Sequence, residues 1–410
     1  MSKINNVLKK LFIIILIIVF TIAFNNSYKK LSIDNVAFLI ALGIDKSDNN
    51  EYTLTFQFTK SISSGESGSS ETSPSIIYIM NASSIGNGIN LLDSYIGKEI
   101  NLSHCKLVVI SEELAKKGIS KEIYTLTNDI ELRPSSNIVI SKCSAKTYIQ
   151  NSQPVFENLL PQYYETFPNS SEFTGLTGNA TIGDFFNSLV CSSCEPSAIL
   201  GGLNSEFAYS PTQINSQKNS NVKANASPIE NSSNSDNAGL AVFKDDVLVG
   251  ELNSLETLCY LTIENEVDRF LVSIPNPENS ESYIDIYLFP KNKTKIDLKI
   301  TNGSPYIKLD LDFDGQIYSI DKNTNYLDST LLDNISTYCS SYLESNISNY
   351  LYKTSKNFKS DINGFGFYCR SKFLTLSEFS NYNWKYKYKD STFDVKVDCE
   401  IKSSYLLNQT

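Results

Sequence analysis

Two cysteines spaced as C-x-x-C, Cys191 and Cys194, are candidates for redox chemistry or metal binding. A thioredoxin-type dithiol lies between a strand and the start of a helix, where the helix dipole lowers the thiol pKa. Here the pair follows the helix-like run DFFNSLV, so it lies at the wrong end of that helix. A zinc site would need a second such pair, which the sequence lacks. The spacing therefore favours a local structural role, with a thiol oxidoreductase using Cys191 and Cys194 left as an alternative.

The chain has a single histidine, His104, which stands beside Cys105 just before the apolar run KLVVI. Adjacent residues on a strand point to opposite faces, so this pair cannot easily face each other as a nucleophile and its base. A buried or capping histidine is expected instead. One histidine also removes most histidine-based metal sites and triads.

The best metal candidate is the acidic stretch Asp310, Asp312, Asp314 and Gly315, which matches the D-x-D-x-D-G opening of a calcium loop. Apolar residues alternate with these acids, however, and this alternation is typical of a strand with one solvated face. Asp314-Gly315 then predicts a hairpin turn, with residues 316–320 forming the returning strand. The sequence therefore predicts no metal site here.

Two further patterns are interpreted structurally. Gly364 and Gly366 form a short G-x-G without the remaining features of a dinucleotide site, which predicts a close-packed turn. The lone tryptophan, Trp384, lies in NYNWKYKY and indicates either an aromatic binding patch or a half-buried strand. No residue is nominated as catalytic, cofactor-binding or metal-ligating, no cofactor is expected, and the ligand-binding residues stay open.

Composition narrows the function classes. The 410 residues carry 35 Lys and Arg against 45 Asp and Glu, a formal net charge of -10, so binding to nucleic acid is close to excluded. With 24 Tyr and 22 Phe the chain can still build apolar cores despite only 41% hydrophobic residues. The length predicts two or three domains.

The amino-terminal segment sets the expected compartment. Lys9 and Lys10 precede an apolar run from Leu11 to Phe24, and positive charge before such a run places the residues after it outside the cytoplasm. The run is shorter than a full span, which favours a cleaved signal, whereas the missing A-x-A cleavage site favours an uncleaved anchor. Both alternatives put the bulk of the chain on the extracytoplasmic side, where its eight cysteines are permitted to pair. Whether any of them do is left open.

The elements predict an α+β, multi-domain chain in four segments. Residues 1–29 are a cytoplasmic tip and membrane segment, and residues 30–210 alternate strands with helices, which predicts mixed sheets. Residues 211–238 are an Asn/Ser-rich linker without apolar periodicity. Residues 239–410 combine strands with one long helix from Leu327 to Asn357, which predicts a curved antiparallel sheet backed by that helix.

Four stretches, in order over nearly all of residues 33–402, resemble the Ger(x)C family, the C subunits of spore germinant receptors. They are VAFLIALGIDKSDNNEYTLTFQF, the LSHCKLVVISEELA region up to NIVISK, ATIGDFFNSLV with GLAVFKDDVLVGELNSLET, and DINGFGF. The resemblance implies a non-enzymatic, multi-domain subunit on the outer face of the spore inner membrane. It also implies assembly with two membrane-embedded subunits, A and B, into a receptor for small nutrient germinants.

One feature departs from the family pattern. Members usually carry a lipobox cysteine directly after the apolar run, whereas the first cysteine here is Cys105. A lipoprotein anchor is therefore not expected, and the Leu11–Phe24 segment would have to hold the chain to the membrane. An extracytoplasmic solute-binding protein remains the alternative outside this family.

Overall fold

The computed structural model describes residues 10–20, 35–48, 51–59, 75–152, 159–207, 235–276, 283–318 and 329–402. The predicted linker at 211–238 lies outside these ranges except for its last four residues, as do the last two residues of the returning strand predicted at 316–320. Residues 21–24 of the predicted membrane segment are also outside the described part of the chain.

The first sheet is mixed and has nine strands in the described residues, in the order β3-β2-β1-β5-β6-β7-β8-β9, with β4 alongside the start of β1. Its middle strands, β1, β5, β6 and β7, are parallel, and both ends are antiparallel. The strands are β1 (Val36–Lys46), β2 (Tyr52–Thr59), β3 (Ser75–Ala82), β4 (Glu99–Asn101), β5 (Leu107–Ser111), β6 (Asn137–Ser141), β7 (Ser197–Leu203), β8 (Ser235–Lys244) and β9 (Val247–Leu252).

Helices connect and cover these strands. Their bounds are α1 (residues 10–20), α2 (Ile85–Ile96), α3 (Glu112–Ala115), α4 (Ser120–Asn128), α5 (Ala145–Asn151), α6 (Leu160–Thr166), α7 (Ser170–Thr174) and α8 (Ile182–Val190). The starts follow local capping chemistry: the Thr181 hydroxyl accepts from the backbone N–H of Asp184, and the Asp184 carboxylate accepts in return. Gly97, at φ 64°, ends α2 in the left-handed conformation.

The second sheet has five strands in the described residues, β10 (Phe270–Pro275), β11 (Tyr283–Pro290), β12 (Lys295–Thr301), β13 (Ser304–Ile317) and β14 (Thr392–Lys402). Strands β10, β11, β13 and β12 are antiparallel, and β14 joins β13 as a parallel neighbour. This arrangement confirms the α+β class with a mixed first sheet and a largely antiparallel second one.

The predicted hairpin turn at Asp314-Gly315 is wrong, because β13 continues through both residues to Ile317. Gly315 lies opposite Leu288 of β11. A Cβ on Gly315 would lie 2.8 Å from the Ile401 side chain, so glycine is needed there for close packing and not for a turn.

The helices of the second half are α9 (Ser254–Glu264), α10 (Ser329–Tyr352), α11 (Phe365–Arg370), α12 (Leu376–Tyr382) and α13 (Trp384–Lys387), and a π-helical turn, Lys353–Phe358, extends α10. Helix α10 is the predicted long helix and packs along β14. Its buried apolar stripe includes Leu331, Ile335, Cys339, Ile347 and Leu351. Leu343 and Tyr350 are buried with it, whereas Tyr342 is only half-buried.

Strand β8 belongs to both hydrophobic cores. Its residues Leu240 to Phe243 are all fully buried. Ala241 and Phe243 pack into the core of the first sheet, whereas Leu240 and Val242 pack into the core of the second half. Because successive side chains of a strand point to opposite faces, one strand can serve both cores. The two halves are thus joined through a shared element.

Helix α1 exposes the apolar side chains from Leu11 to Phe20. Its 11 residues correspond to about 16 Å. Within the described ranges, no helix combines the length and the apolar character needed to cross a membrane.

Candidate functional site

Two buried carboxylates, Glu195 and Asp361, lie where the first sheet meets the second half of the chain. Glu195 follows the C-x-x-C segment and precedes β7, and Asp361 opens the DINGFG motif between α10 and α11. The backbone N–H of Glu195 donates to the Asp361 carbonyl at 3.0 Å. The two carboxylates are therefore parts of one site, called here the junction.

Asp361 holds the start of α11 and the tryptophan together. Its Oδ1 accepts from the backbone N–H of Phe365 at 3.1 Å, and its Oδ2 accepts from the backbone N–H of Gly366 at 2.9 Å and from Trp384 Nε1 at 2.8 Å. Burial raises the pKa of this carboxyl to about 7, although the three donors act in the opposite direction. The three hydrogen bonds thus offset part of the cost of desolvating the charged carboxylate.

The two glycines of the motif make this geometry possible. Gly364 has φ 64°, a conformation that favours glycine, and it begins the turn into α11. Gly366 has no room for a side chain, since a Cβ would lie 2.2 Å from the Ser193 carbonyl oxygen and 2.5 Å from Trp384 Nε1. The prediction of two close-packed glycines is confirmed, and Gly366 is the point at which α11 touches the C-x-x-C segment.

Glu195 is fully buried and is the centre of an ion-pair network whose other members reach the surface. Its Oε1 accepts from Lys244 Nζ at 2.5 Å, and its Oε2 accepts from the backbone N–H of Asp245 at 2.7 Å and from Lys385 Nζ at 3.2 Å. Lys385 also pairs with Asp245 Oδ1 at 2.9 Å. The β8–β9 hairpin turn, where Asp245 has φ 53°, is thereby attached to α13. Removing one partner of such a buried pair costs several kcal/mol.

A third carboxyl, the half-buried Glu264 at the end of α9, is connected through Asn363 of the same motif. Asn363 Nδ2 donates to Glu264 Oε1 at 2.6 Å, and Asn363 Oδ1 accepts from the Tyr350 hydroxyl at 2.5 Å. Burial raises the pKa of Glu264 to about 7. The DINGFG motif therefore organises two carboxyl groups whose protonation changes near neutral pH.

The groups of the junction have a structural role. The oxygens of Asp361 and Glu195 are occupied by protein donors in a buried environment, so neither is placed to take a proton from a bound substrate. Within the described residues, no cluster of three or more His, Cys, Asp or Glu side chains could hold a metal ion. What the arrangement can do is hold the β8–β9 hairpin, α11 and α13 in one relative position.

The cysteine pair, Cys191 and Cys194, lies beside the junction. Cys191 is the residue that ends α8, at the carboxyl end of the helix as the sequence predicted. Its sulfur accepts from the backbone N–H of Ser193 at 3.2 Å, and burial raises the pKa of the Cys194 thiol. Both cysteines are free thiols, as are the other six. A raised pKa disfavours the thiolate that redox chemistry requires.

The structure separates His104 from Cys105. His104 is exposed, with its ring edge-on to Phe38 at 4.7 Å, so the expected buried or capping histidine is wrong. Cys105 is buried, and burial raises the pKa of its thiol to about 12. The pair does not form a nucleophile and base.

The acidic stretch of β13 is a strand face, as the alternation predicted. Asp310 pairs with Lys308 at 3.0 Å, and Asp314 lies 3.4 Å from Lys291 and 3.5 Å from Lys402. Trp384 lies on the short helix α13 and is buried, so the half-buried strand expected there is wrong.

Sequence reasoning missed the roles of Glu195, Asp361 and Lys385. One signal was available: DINGFG places an acid before two glycines and an aromatic residue, which is the composition of a capped, close-packed helix start. Nothing local connects Glu195 to Lys385, which lies 190 positions further along the chain.

The fold defines a two-part α+β protein whose halves share strand β8 and are connected by the polar groups of the junction. Two family models match it: the spore germination protein N-terminal domain over residues 29–201, and the spore germination B3/GerAC-like C-terminal domain over residues 238–405. The chain therefore belongs to the Ger(x)C family of spore germination proteins.

Two sequence relatives are named as spore germination proteins. Spore germination protein KC of Bacillus subtilis (strain 168) is 22% identical over 408 residues, covering 98% of this chain and 97% of the relative. The putative spore germination protein YfkR of the same organism is 21% identical over 274 residues, 65% of each chain. The crystal structure of the GerBC protein aligns with 17% identity and a TM-score of 0.49, covering 88% of this chain and 96% of that one. None of these names describes an enzymatic activity.

Proposed function

We propose that this chain is a non-enzymatic C subunit of a nutrient germinant receptor at the spore inner membrane. Its role would be to scaffold or couple the membrane-embedded A and B subunits during germination. Membership of the Ger(x)C family supports the germination role. The positively charged, apolar segment before residue 30 supports a membrane location with the bulk of the chain on the outer face.

The observation that carries the coupling role is the way the halves are joined. Strand β8 packs into both cores, and Glu195 and Asp361 connect the first sheet to α11 and α13. A force applied to one half is transmitted to the other when the elements between them are rigid and well packed. A body of this kind can bias the conformational equilibrium of a partner on which both halves dock.

We further propose that the four segments predicted from the sequence, 1–29, 30–210, 211–238 and 239–410, are functional segments of one body. The family models end and resume at residues 201 and 238, which supports a boundary in that interval. The first sheet nevertheless continues through Leu252, so the segments on either side of this interval share a structure.

Deletion of the gene in a spore-former tests the germination role. We expect loss of the response to particular nutrients with sporulation intact, and restoration by the complete chain. Unchanged germination with every nutrient, in a strain without a second copy of the family, would contradict the proposal.

Purification tests the partner assignment. A tagged chain extracted from spore membranes should bring down the A and B subunits together. A complemented strain in which Leu16 and Ile17 are replaced by Asp should lose the chain from the membrane fraction, because charge in the apolar segment opposes its insertion. Retention of the variant in that fraction would contradict the role of this segment as the membrane anchor.

A further inference from the structure

A cluster of lysines and tyrosine in the second half stands out in a chain of net charge -10. Two adjacent segments, residues 353–359 and 384–391, contain six lysines and one carboxylate, Asp390. They are held together by Lys356, whose Nζ donates to the carbonyl oxygens of Lys389 at 2.6 Å and of Ser391 at 3.2 Å. The local charge is thus opposite in sign to that of the whole molecule.

Two of these lysines surround an exposed aromatic ring. Lys389 Nζ lies 3.7 Å from the centroid of the Tyr386 ring, and Tyr386 is 59% exposed. Lys389, by hydrogen bonding and charge, and Lys387, by charge, lower the pKa of the Tyr386 hydroxyl, so both ammonium groups lie near it. We call Lys356, Tyr386, Lys387 and Lys389 the basic–aromatic patch.

The three lysines of the patch form no ion pair within the described part of the chain, although the charge of Asp390 acts on Lys389. Lys353 and Lys385, at its inner side, pair with Glu256 and Glu195. Among the described residues, no carboxylate lies within ion-pair distance of Lys356, Lys387 or Lys389. An ammonium has three N–H donors, and Lys356 uses two of them on carbonyl oxygens, so one remains for a ligand.

We propose that the basic–aromatic patch docks on the surface of a bilayer that contains anionic phospholipids. Three ammonium groups match lipid phosphates in charge, and tyrosine with lysine is the pairing found at membrane interfaces, where a ring sits among the headgroups while the ammonium reaches water or phosphate. The inference rests on the proposed membrane location and adds a second contact, made by the folded body. The 14 residues between Phe20 and Asn35 span at most roughly 50 Å, so the body stays near the bilayer.

Lysine acetylation of the complete chain tests this proposal. The chain is reconstituted in phosphatidylcholine vesicles with or without phosphatidylglycerol, labelled with an N-hydroxysuccinimide ester of acetate, and analysed by mass spectrometry. Each lysine near an anionic surface strengthens binding roughly fivefold, so acetylation of Lys356, Lys387 and Lys389 should slow at least fivefold with phosphatidylglycerol. About 0.5 M salt should remove the effect, since it screens exposed charges. Lys98, Lys293 and Lys396 are exposed lysines elsewhere and should react equally in both vesicles.

Variants make the test specific. Lys387→Gln with Lys389→Gln should bring the acetylation of Lys356 to the same rate in both vesicles. The charge-matched control, Lys98→Gln with Lys396→Gln, should leave the protection of Lys356 unchanged. Equal rates for the wild type in both vesicles would overturn the proposal. So would protection that requires co-reconstituted A and B subunits and ignores lipid charge, because the patch would then be a protein interface. Either result leaves the germination role intact, since that role is tested by gene deletion.

Discussion

At the scale of single residues, Asp361 makes more hydrogen bonds than its local sequence predicts. One carboxylate satisfies two backbone donors and the only indole of the chain. Asp361→Asn retains the size but replaces one acceptor oxygen by a donor. Because a buried donor facing another donor loses its hydrogen bond, we expect a loss of roughly 2–4 kcal/mol in the free energy of unfolding. Urea unfolding followed by Trp384 fluorescence measures it.

The matched control for that substitution is Asp398→Asn. Asp398 is exposed on β14, and a surface change of this kind alters stability by less than about 0.5 kcal/mol. Equal stability of Asp361→Asn and Asp398→Asn would mean that the junction carboxylate contributes nothing to the fold.

Glu264 makes the stability of the folded chain depend on pH. Burial raises its pKa from 4.5 to about 7 in the folded chain, so the folded state binds this proton more tightly than the unfolded state does. Its contribution to stability is therefore present below about pH 4 and is lost as the pH rises to about 7. Since one pKa unit corresponds to about 1.4 kcal/mol, the loss is about 3 kcal/mol.

Glu264→Gln isolates this effect, because glutamine keeps an acceptor for Asn363 and does not titrate. We expect the stability of the wild type relative to this variant to fall by about 3 kcal/mol between pH 4 and pH 8. The exposed Glu99→Gln serves as the control. A difference that stays constant with pH would show that the pKa of Glu264 is not raised in the folded chain.

At the scale of elements, helix α10 closes the edge of the second sheet. Three backbone N–H groups of β14 point away from β13 and donate to helix side chains: Val397 to Glu344 at 3.0 Å, Cys399 to Ser340 at 3.0 Å, and Ile401 to Ser336 at 3.2 Å. The three acceptors are spaced four residues apart, so they form one line along the helix. The helix thus takes the place of a further strand and protects an edge that would otherwise pair with other chains.

Replacing two of these acceptors tests the role of the helix. Ser336→Ala with Ser340→Ala should cost roughly 1–3 kcal/mol, because two buried donors lose their partners. The amides of Cys399 and Ile401 should also exchange faster in hydrogen exchange. Ser341→Ala, on the exposed face of the same helix, is the control. Unchanged exchange at Cys399 and Ile401 would show that these bonds do not hold the edge.

The sequence predicts an element correctly when the interactions that fix its conformation lie between residues close together in the chain. The capping pairs Thr181 with Asp184 and Asn253 with Glu256 span three residues, so a local spacing rule can identify both. At Asp314-Gly315 the same local rules predicted a turn, yet the chain stays extended because β11 and β14 pair on either side of β13 there. Trp384 was misplaced for a similar reason, since a distant acceptor, Asp361, holds it on a helix.

At the scale of the whole molecule, the shared strand could not be predicted from the sequence. The run GLAVFK was assigned to the segment 239–410, whereas the structure pairs β8 with β7 of the first sheet. A continuous apolar run is buried on both faces, and the pattern does not say which two cores cover it. The pairing of Glu195 with Lys244 and Lys385 is non-local in the same way.

The shared strand predicts that the chain unfolds as one unit. Val242 faces the second core from the first sheet, so Val242→Ala should cost roughly 2 kcal/mol and lower the stability of both halves together. Trp384 is the only tryptophan and reports on the second half, whereas circular dichroism reports on both. In urea, the two signals should show the same midpoint in the wild type and shift equally in the variant. Val249→Ala, on the partly exposed face of β9, should shift neither appreciably. Separate midpoints would mean that the halves fold independently. The coupling proposed for the receptor would then need a source other than this strand.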